Sequence, residues 1–355
     1  MAGGEPRPVG VTEDGQLPLP WLGDALSQAL QLKRSHALLL HAGVPTGQFE
    51  LAMALAQAWL CEHPDRAPCG RCTSCRLARQ RTHPDLRVVV PEVMRVEFDW
   101  LTDDDPLSRN GAKPSREIKV EQVREAIEWS QRSAGSERGR ALVLYPAQAL
   151  NMAAANALLK TLEEPPGTLR IVMAGGDPER LLPTIRSRVQ RIALQPPDRA
   201  SALAWLKQQG IKGGERALTV AGDSPLAAQA LLDAGVAEAD LDALPSAVAS
   251  GDVQHLIGKP LPLVIDLLLR VAHDAMAQAA GAAPRFFDMA QMPPAAPLSA
   301  LQAWREELLR AARHDEHPWN APLLVEALVT NGARCWASAT KPRQRGTGHS
   351  IHSAG

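Results

Sequence analysis

A chain of 355 residues with an apolar fraction of 45% has enough material for two or three domains with buried cores. Its 38 basic and 39 acidic residues leave a net charge of −1, which argues against a free-standing nucleic-acid binder with a strongly basic face. Four Phe and one Tyr beside eight Trp make a poor base-stacking platform; the longest apolar run, Leu261 to Ala272, is broken by Asp266 and Arg270, and no apolar signal core opens the chain, so a cytoplasmic protein with no membrane contact is expected.

Met1 to Gln16 is rich in Gly, Pro and acid and predicts a flexible leader over 1–17, with structure beginning near Trp21. Asp24 is placed to cap a helix carrying Leu26, Ala29, Leu30 and Leu32, and Ala37 to Leu40 reads as a buried strand. The turn that follows, Ala42-Gly43-Val44-Pro45-Thr46-Gly47-Gln48-Phe49-Glu50, leads into a helix ending near Leu60. Strand, turn and helix in that order are where a P-loop ATPase cradles its phosphates, with a Lys reaching the β/γ-phosphates and a Ser or Thr holding magnesium. Aligned on Gly47, the lysine position is Gln48 and the hydroxyl position Phe49, while Pro45 removes a backbone donor. Gly43, Gly47, Gln48 and Phe49 thus form a degenerate phosphate loop, and no cofactor binding is expected there.

Cys61, Cys69, Cys72 and Cys75 then follow with C-x7-C-x2-C-x2-C spacing, which suits four thiolates closing on a tetrahedral Zn²⁺, with Gly70 easing the turn. A filled four-sulfur shell points to a structural ion; a disulfide pair or four unrelated thiols are the alternatives. His63 and His83 are read as solvated or hydrogen-bonded rather than as ligands, and Cys335 as a small buried residue. Leu86 to Val90 predicts a strand, and 102–115, with Asp103, Asp104 and Asp105, an exposed insertion whose acids are solvated or hold a cation. A helix from Glu121 to Gln131 and a strand from Ala141 to Leu144 come next.

Asn151 to Arg188 joins a helix with Ala155, Leu158, Leu159 and Leu162 on one stripe, capped by Asn151 and stopped by Pro165, Pro166 and Gly167, to a strand from Leu169 to Ala174. With Val189 to Leu194 there are five strand candidates separated by helices, the pattern of a parallel α/β sheet. Gln195-Pro196-Pro197 marks a boundary. Helices are predicted from Asp198 to Gln209, Glu215 to Val220, and Pro225 to Leu232 with Ser224 as cap; stripes at Ile265, Leu268, Leu269 and Ala272, at Leu301, Trp304, Leu308 and Ala311, and over Leu323 to Leu328 follow. Met276 and Met289 are read as core filler, 282–297 as a connector, and the last residues as a disordered basic tail.

Asn156 to Pro166, NALLKTLEEPP, followed by a strand and the Ser187-Arg188 pair, resembles the clamp-loader family of AAA+ ATPases. The resemblance covers roughly Trp21 to Trp336 and weakens after Gly235. It implies an AAA+ (RecA-like) parallel-sheet α/β domain over 18–194 with an embedded zinc module at 61–75, a small helical lid over 195–235, an all-helical collar for oligomerisation over 236–339 and a tail over 340–355. It also places Tyr145 and Pro146 at the Walker B acids, Gly175 or Gly176 at the sensor threonine and Leu226 at the sensor arginine, so a member that has lost ATP hydrolysis is implied. Such a member is a rigid subunit of a DNA polymerase III clamp loader. Its implied partners are the other clamp-loader subunits (gamma/tau and delta types), and, through the complex, the sliding clamp and primer-template DNA. Arg188 is implied to act in trans as an arginine finger on a neighbour's ATP; an exposed salt bridge is its plainer role. The family's Ser-Arg-Cys is Ser187-Arg188-Val189 here, a change expected to touch packing more than charge. An active clamp-loader motor and a stand-alone zinc protein on DNA are the competing functions; Gln48, Phe49, Tyr145 and Pro146 argue against the first, and the charge balance against the second.

Overall fold

The computed structural model describes residues 9–101, 107, 113–132, 134–211, 214–313 and 320–337. Most of the 102–115 insertion, with its three aspartates, and the 340–355 tail lie outside the described residues. The chain divides into two compact units, residues 1–202 and 203–355.

The first unit is built on a parallel sheet of β1 (Ala37–His41), β2 (Leu86–Val89), β3 (Arg140–Leu144), β4 (Leu169–Gly175) and β5 (Gln190–Ala193), in the order β2-β3-β4-β1-β5. Position in the sheet explains why the strands read differently: β3, β4 and β1 have a neighbour on both sides and are buried almost throughout, while the edge strands β2 and β5 alternate with exposed residues. Leu39, Leu142, Leu144, Ile171 and Met173 pack with Val123 and Ala126 of α5 (Val120–Gln131) and Leu158 and Leu162 of α6 (Met152–Glu163). The strand residues between them point the other way. There lies α2 (Gln48–Leu60), which is buried nearly all round and packs against β3 and β4. This is the AAA+-type α/β architecture that the resemblance implied.

Asn151 caps α6 as its sequence predicts, accepting from Ala154 N at 2.9 Å. Asp24 does not cap α1 (Gly23–Gln31): the 3₁₀ turn Pro20–Leu22 runs directly into the helix, Leu22 takes the cap position, and Asp24 sits inside the first turn, where its charge favours the dipole instead. The flexible leader needs the larger correction. Val11 is 2% exposed, and the Gln57 side-chain amide pairs with its backbone, Val11 N donating to Oε1 at 2.6 Å and Nε2 donating to Val11 O at 3.1 Å. A turn from Thr12 to Gln16 follows, so the described part of the leader is packed on the domain.

The second unit is helical throughout its described residues: part of α8 (Arg199–Gln208), then α9 (Glu215–Val220), α10 (Pro225–Asp233), α11 (Glu238–Ser250), α12 (Leu261–Ala279), α13 (Leu298–Arg313) and α14 (Ala321–Ala337). Ser224 caps α10 through Ala227 N. Helix α11 was not predicted, because Pro245 lies inside it; burial of Leu241, Leu244 and Val248 on one face outweighs the backbone bond that proline removes. Trp304 lies over Gly332, where an added Cβ would stand 2.7 Å from the indole, and its Nε1 donates to Leu328 O. Met289 is 51% exposed and is not core filler, whereas Cys335 is buried as expected. No helix among the described residues is long and apolar enough to cross a membrane.

Candidate metal centre and filled phosphate loop

The four cysteines come from the end of α2 and from α3 (Thr73–Arg79) with the loop before it, and the fold gathers them into one cluster. Their sulfurs all lie within 4.8 Å of one another, with Cys61–Cys72 and Cys69–Cys75 at 3.9 Å. Four thiolates 2.3 Å from a tetrahedral ion would be about 3.8 Å apart, so the donor set fits a single metal ion with little movement. Backbone N–H groups of His63, Cys72 and Cys75 point at Cys61, Cys69 and Cys72 Sγ at 3.3–3.4 Å, the usual support for anionic sulfur. Burial pushes the Cys61 and Cys75 thiols up. At Cys69 the upward push of burial is outweighed by the N–H groups of Cys72 and Arg71, which bring it down to about 6. A divalent cation at the centre of such a set would hold all four sulfurs as thiolates against the cost of burial. His63 is exposed, and His83 is buried with its Nδ1 accepting from Asp85 N, so neither joins the cluster. Sequence reasoning missed the N-terminal segment that covers it: Arg71 Nε donates to Glu13 O, Arg79 pairs with the Glu13 carboxylate at 2.8 Å, and Gln57 Nε2 donates to Cys75 O as well as to Val11 O.

The turn between β1 and α2 lies where expected, with Gly47 at φ 97° as the helix cap. Gln48 turns back into it. Its Oε1 accepts from Thr46 N at 2.8 Å and its Nε2 donates to Val44 O at 3.1 Å, so the side chain at the lysine position uses up loop groups that could face a phosphate. Thr46 Oγ1 donates to Val44 O, and Trp21 Nε1 to Thr46 O. Leu19 presses on Gly47, where a Cβ would meet its Cδ1 at 2.3 Å.

Phe49, at the hydroxyl position, and Tyr145, at the Walker B position, meet with ring centres 4.9 Å apart. Phe98 stacks on Phe49 at 5.4 Å, and Trp100 lies tilted against Phe98 at 4.9 Å. Replacements read separately along the sequence therefore meet in one aromatic cluster, and neither Phe49 nor Tyr145 supplies the carboxylate or aliphatic hydroxyl that a magnesium site uses. Phe98 and Trp100 come from α4 (Glu92–Glu97) and its exit, which the sequence reading left irregular. At the sensor position Gln148 lies against Gly175, an added Cβ there standing 2.1 Å from its Oε1. Leu226 is buried within the second unit.

Arg188 follows α7 (Pro183–Arg186) and remains part-exposed. Its Nε donates to Glu163 Oε1 at 2.7 Å, with a second nitrogen on the same oxygen, while Nη1 donates to Thr184 O and Ser187 Oγ at 2.9 and 3.1 Å. The structure thus gives Arg188 the salt bridge of the plainer reading, with Glu163, the last residue of α6, as its partner.

A family model described as DNA polymerase III, delta subunit, matches residues 22–198. The chain is 36% identical over 225 residues to the DNA polymerase III subunit delta' of Pseudomonas aeruginosa, covering 62% of each chain. It is 33% identical over 279 residues to the DNA polymerase III subunit delta' of Escherichia coli K12, covering 74% of this chain and 78% of that one. Over 176 residues it is 31% identical to the Escherichia coli DNA polymerase III subunit tau, covering 49% of this chain and 24% of that one. The match spans less than two thirds of the Pseudomonas relative.

Proposed function

The chain belongs to the DNA polymerase III delta-prime subunit family, and we infer from this that it serves as a non-hydrolysing structural subunit of a clamp loader. Its partners in this reading are gamma/tau- and delta-type subunits, and the assembled complex places a sliding clamp on primer-template DNA. The observation that carries the non-hydrolysing part is the filled nucleotide position. Gln48 satisfies the turn's own backbone, and Phe49 packs on Tyr145 where magnesium and its acids would stand. Phosphoryl transfer depends on charge neutralisation and a positioned water, and these residues supply neither.

Zinc is the ion that the four thiols favour, held by Cys61, Cys69, Cys72 and Cys75 with no position left for water or substrate. When bound, it supplies a cross-link between the end of α2 and α3. Arg188 serves in trans: a guanidinium is always charged and offers parallel N–H bonds to phosphate oxygens on an adjacent subunit. Its pairing with Glu163 holds it near the surface until that contact forms.

The test is nucleotide turnover by the purified chain alone. We expect no ATPase above background for the wild type and for Gln48→Lys, since a lysine there restores neither the hydroxyl nor the acids. Turnover by the wild-type chain free of partner subunits overturns the reading.

A further inference from the structure

Trp100 has a further partner besides the aromatic cluster. The guanidinium carbon of Arg81 lies 3.9 Å from its ring centre, and Arg81 is half-buried with no carboxylate of the described residues bonded to it. Burial lowers its pKa from the ordinary value. The backbone at Arg81 and just before Trp100 is unusual. Arg81 has φ 59° and Asp99, directly before Trp100, φ 54°; among the described residues only Asp223 is another non-glycine with positive φ. Each stands just past a helix end, a position glycine fills without strain, so something other than backbone ease selects a side chain at Arg81.

The pair borders a cavity of about 350 Å³ along β2. As an edge strand, β2 pairs only with β3 among the described residues. Asp85 O and Val89 O accept from Ala141 and Tyr145 of that neighbour, so the alternation of a parallel ladder turns the N–H and C=O of Val88 away from β3, with no backbone partner among the described residues, on the side of the cavity that Val88 lines. Arg87 also lines it, and its carboxylate partner among the described residues is Glu125, at 3.4 Å.

We propose that this cavity docks an extended acidic peptide segment of a partner protein, whose backbone adds to β2 at Val88 and whose carboxylate bonds the Arg81 guanidinium. Stacking on Trp100 occupies one face of the guanidinium and leaves its N–H edge free, the geometry that takes a carboxylate by two parallel bonds. Arg81, with no carboxylate of the described residues bonded to it, selects an acidic side chain, and the open edge selects an extended segment. A nucleic-acid phosphate would answer the arginines but not the paired donor and acceptor of Val88.

The experiment uses the full chain and a capped peptide of alternating glutamate and valine, with binding followed by calorimetry. We expect saturable binding, new exchange protection at the Val88 amide, and a loss of about tenfold or more in affinity on Arg81→Gly, which suits the left-handed backbone and so preserves the fold. N-methylation of the peptide nitrogens that would face Val88 is expected to weaken binding to a similar degree, with the protein unaltered. No binding at about 1 mM peptide, affinity unchanged by both modifications, or tighter binding of single-stranded oligothymidylate than of the peptide would each overturn the proposal.

Discussion

Gln48 does for its turn what a bound phosphate does in a working loop: it gives a buried N–H an acceptor. Thr46 is wholly buried, so removing that acceptor leaves its N–H without a partner at a cost of about 1–3 kcal/mol. Gln48→Ala is expected to lower stability by that amount in denaturant titration, while Gln48→Glu keeps the acceptor but turns a buried carboxylate oxygen on Val44 O and is expected to cost at least as much at neutral pH. That Gln48 replaces the lysine is plain in the sequence. That it closes the loop on itself is not, since the bonds depend on the turn's path and not on residue type. The cysteines are the opposite case, because their spacing is itself the geometry. Cys72→Ser is expected to abolish stoichiometric metal content and loosen the module locally; structural zinc supplies on the order of 10 kcal/mol in small isolated modules, and here the surrounding domain keeps the rest of the fold. Elemental analysis of protein purified without chelator checks it, and a metal-free wild type would remove the metal centre.

At the scale of elements, the parts legible in the sequence are those with a period or a stop signal. The buried run of β1 and the Asn151-capped stripe of α6 belong to this class. The missed parts are held by contacts between residues far apart in the chain. The segment around Val11 is composed like a loose leader, yet it is fixed by Gln57, 46 residues away. Its close approach to the metal module makes Gly70 a sharp test: φ is 71° there, and an added Cβ would stand 1.9 Å from Thr12 O, so Gly70→Ala is expected to displace the segment and raise proteolytic cleavage before Trp21. Helix α4 was hidden for a similar reason, being tied at its start by Glu92, which bonds Lys119 Nζ and Ser115 N, each at 2.8 Å. Burial alone would raise the Glu92 pKa; the bonds from Lys119 and Ser115 outweigh it and lower the pKa below the ordinary carboxylate value. A lowered folded pKa means that this stability is fully present above the unfolded value and is lost as pH falls through the folded one. Glu92→Gln is therefore expected to cost about 0–1 kcal/mol at neutral pH and nothing in acid below the folded pKa, which denaturant midpoints across pH would reveal.

For the whole molecule, the first unit has the sheet and turn of a nucleotide-binding domain but spends that position on packing, so any part it plays in ATP chemistry has to face outward. Arg188 is the residue proposed for that part. In the free chain it is paired with Glu163, and an exposed pair of this kind contributes only about 0–1 kcal/mol, too little to hold the guanidinium against a triphosphate on a neighbouring subunit. A finger that completes a site is worth about 10³–10⁵ in rate there, but a ring with several sites loses only one of them. Arg188→Ala is accordingly expected to leave folding, metal content and assembly intact while lowering DNA-stimulated ATP hydrolysis and clamp loading by the complex. Glu163→Gln separates the two roles. If Arg188 acts only as a surface pair, both variants cost a little stability and neither changes turnover by the assembled ring. If it acts in trans, Arg188→Ala slows turnover and Glu163→Gln, which frees the guanidinium without removing it, does not slow it to the same degree. Equal turnover by wild-type and Arg188→Ala rings returns Arg188 to the salt bridge with Glu163 and leaves the packed nucleotide position without an outward counterpart.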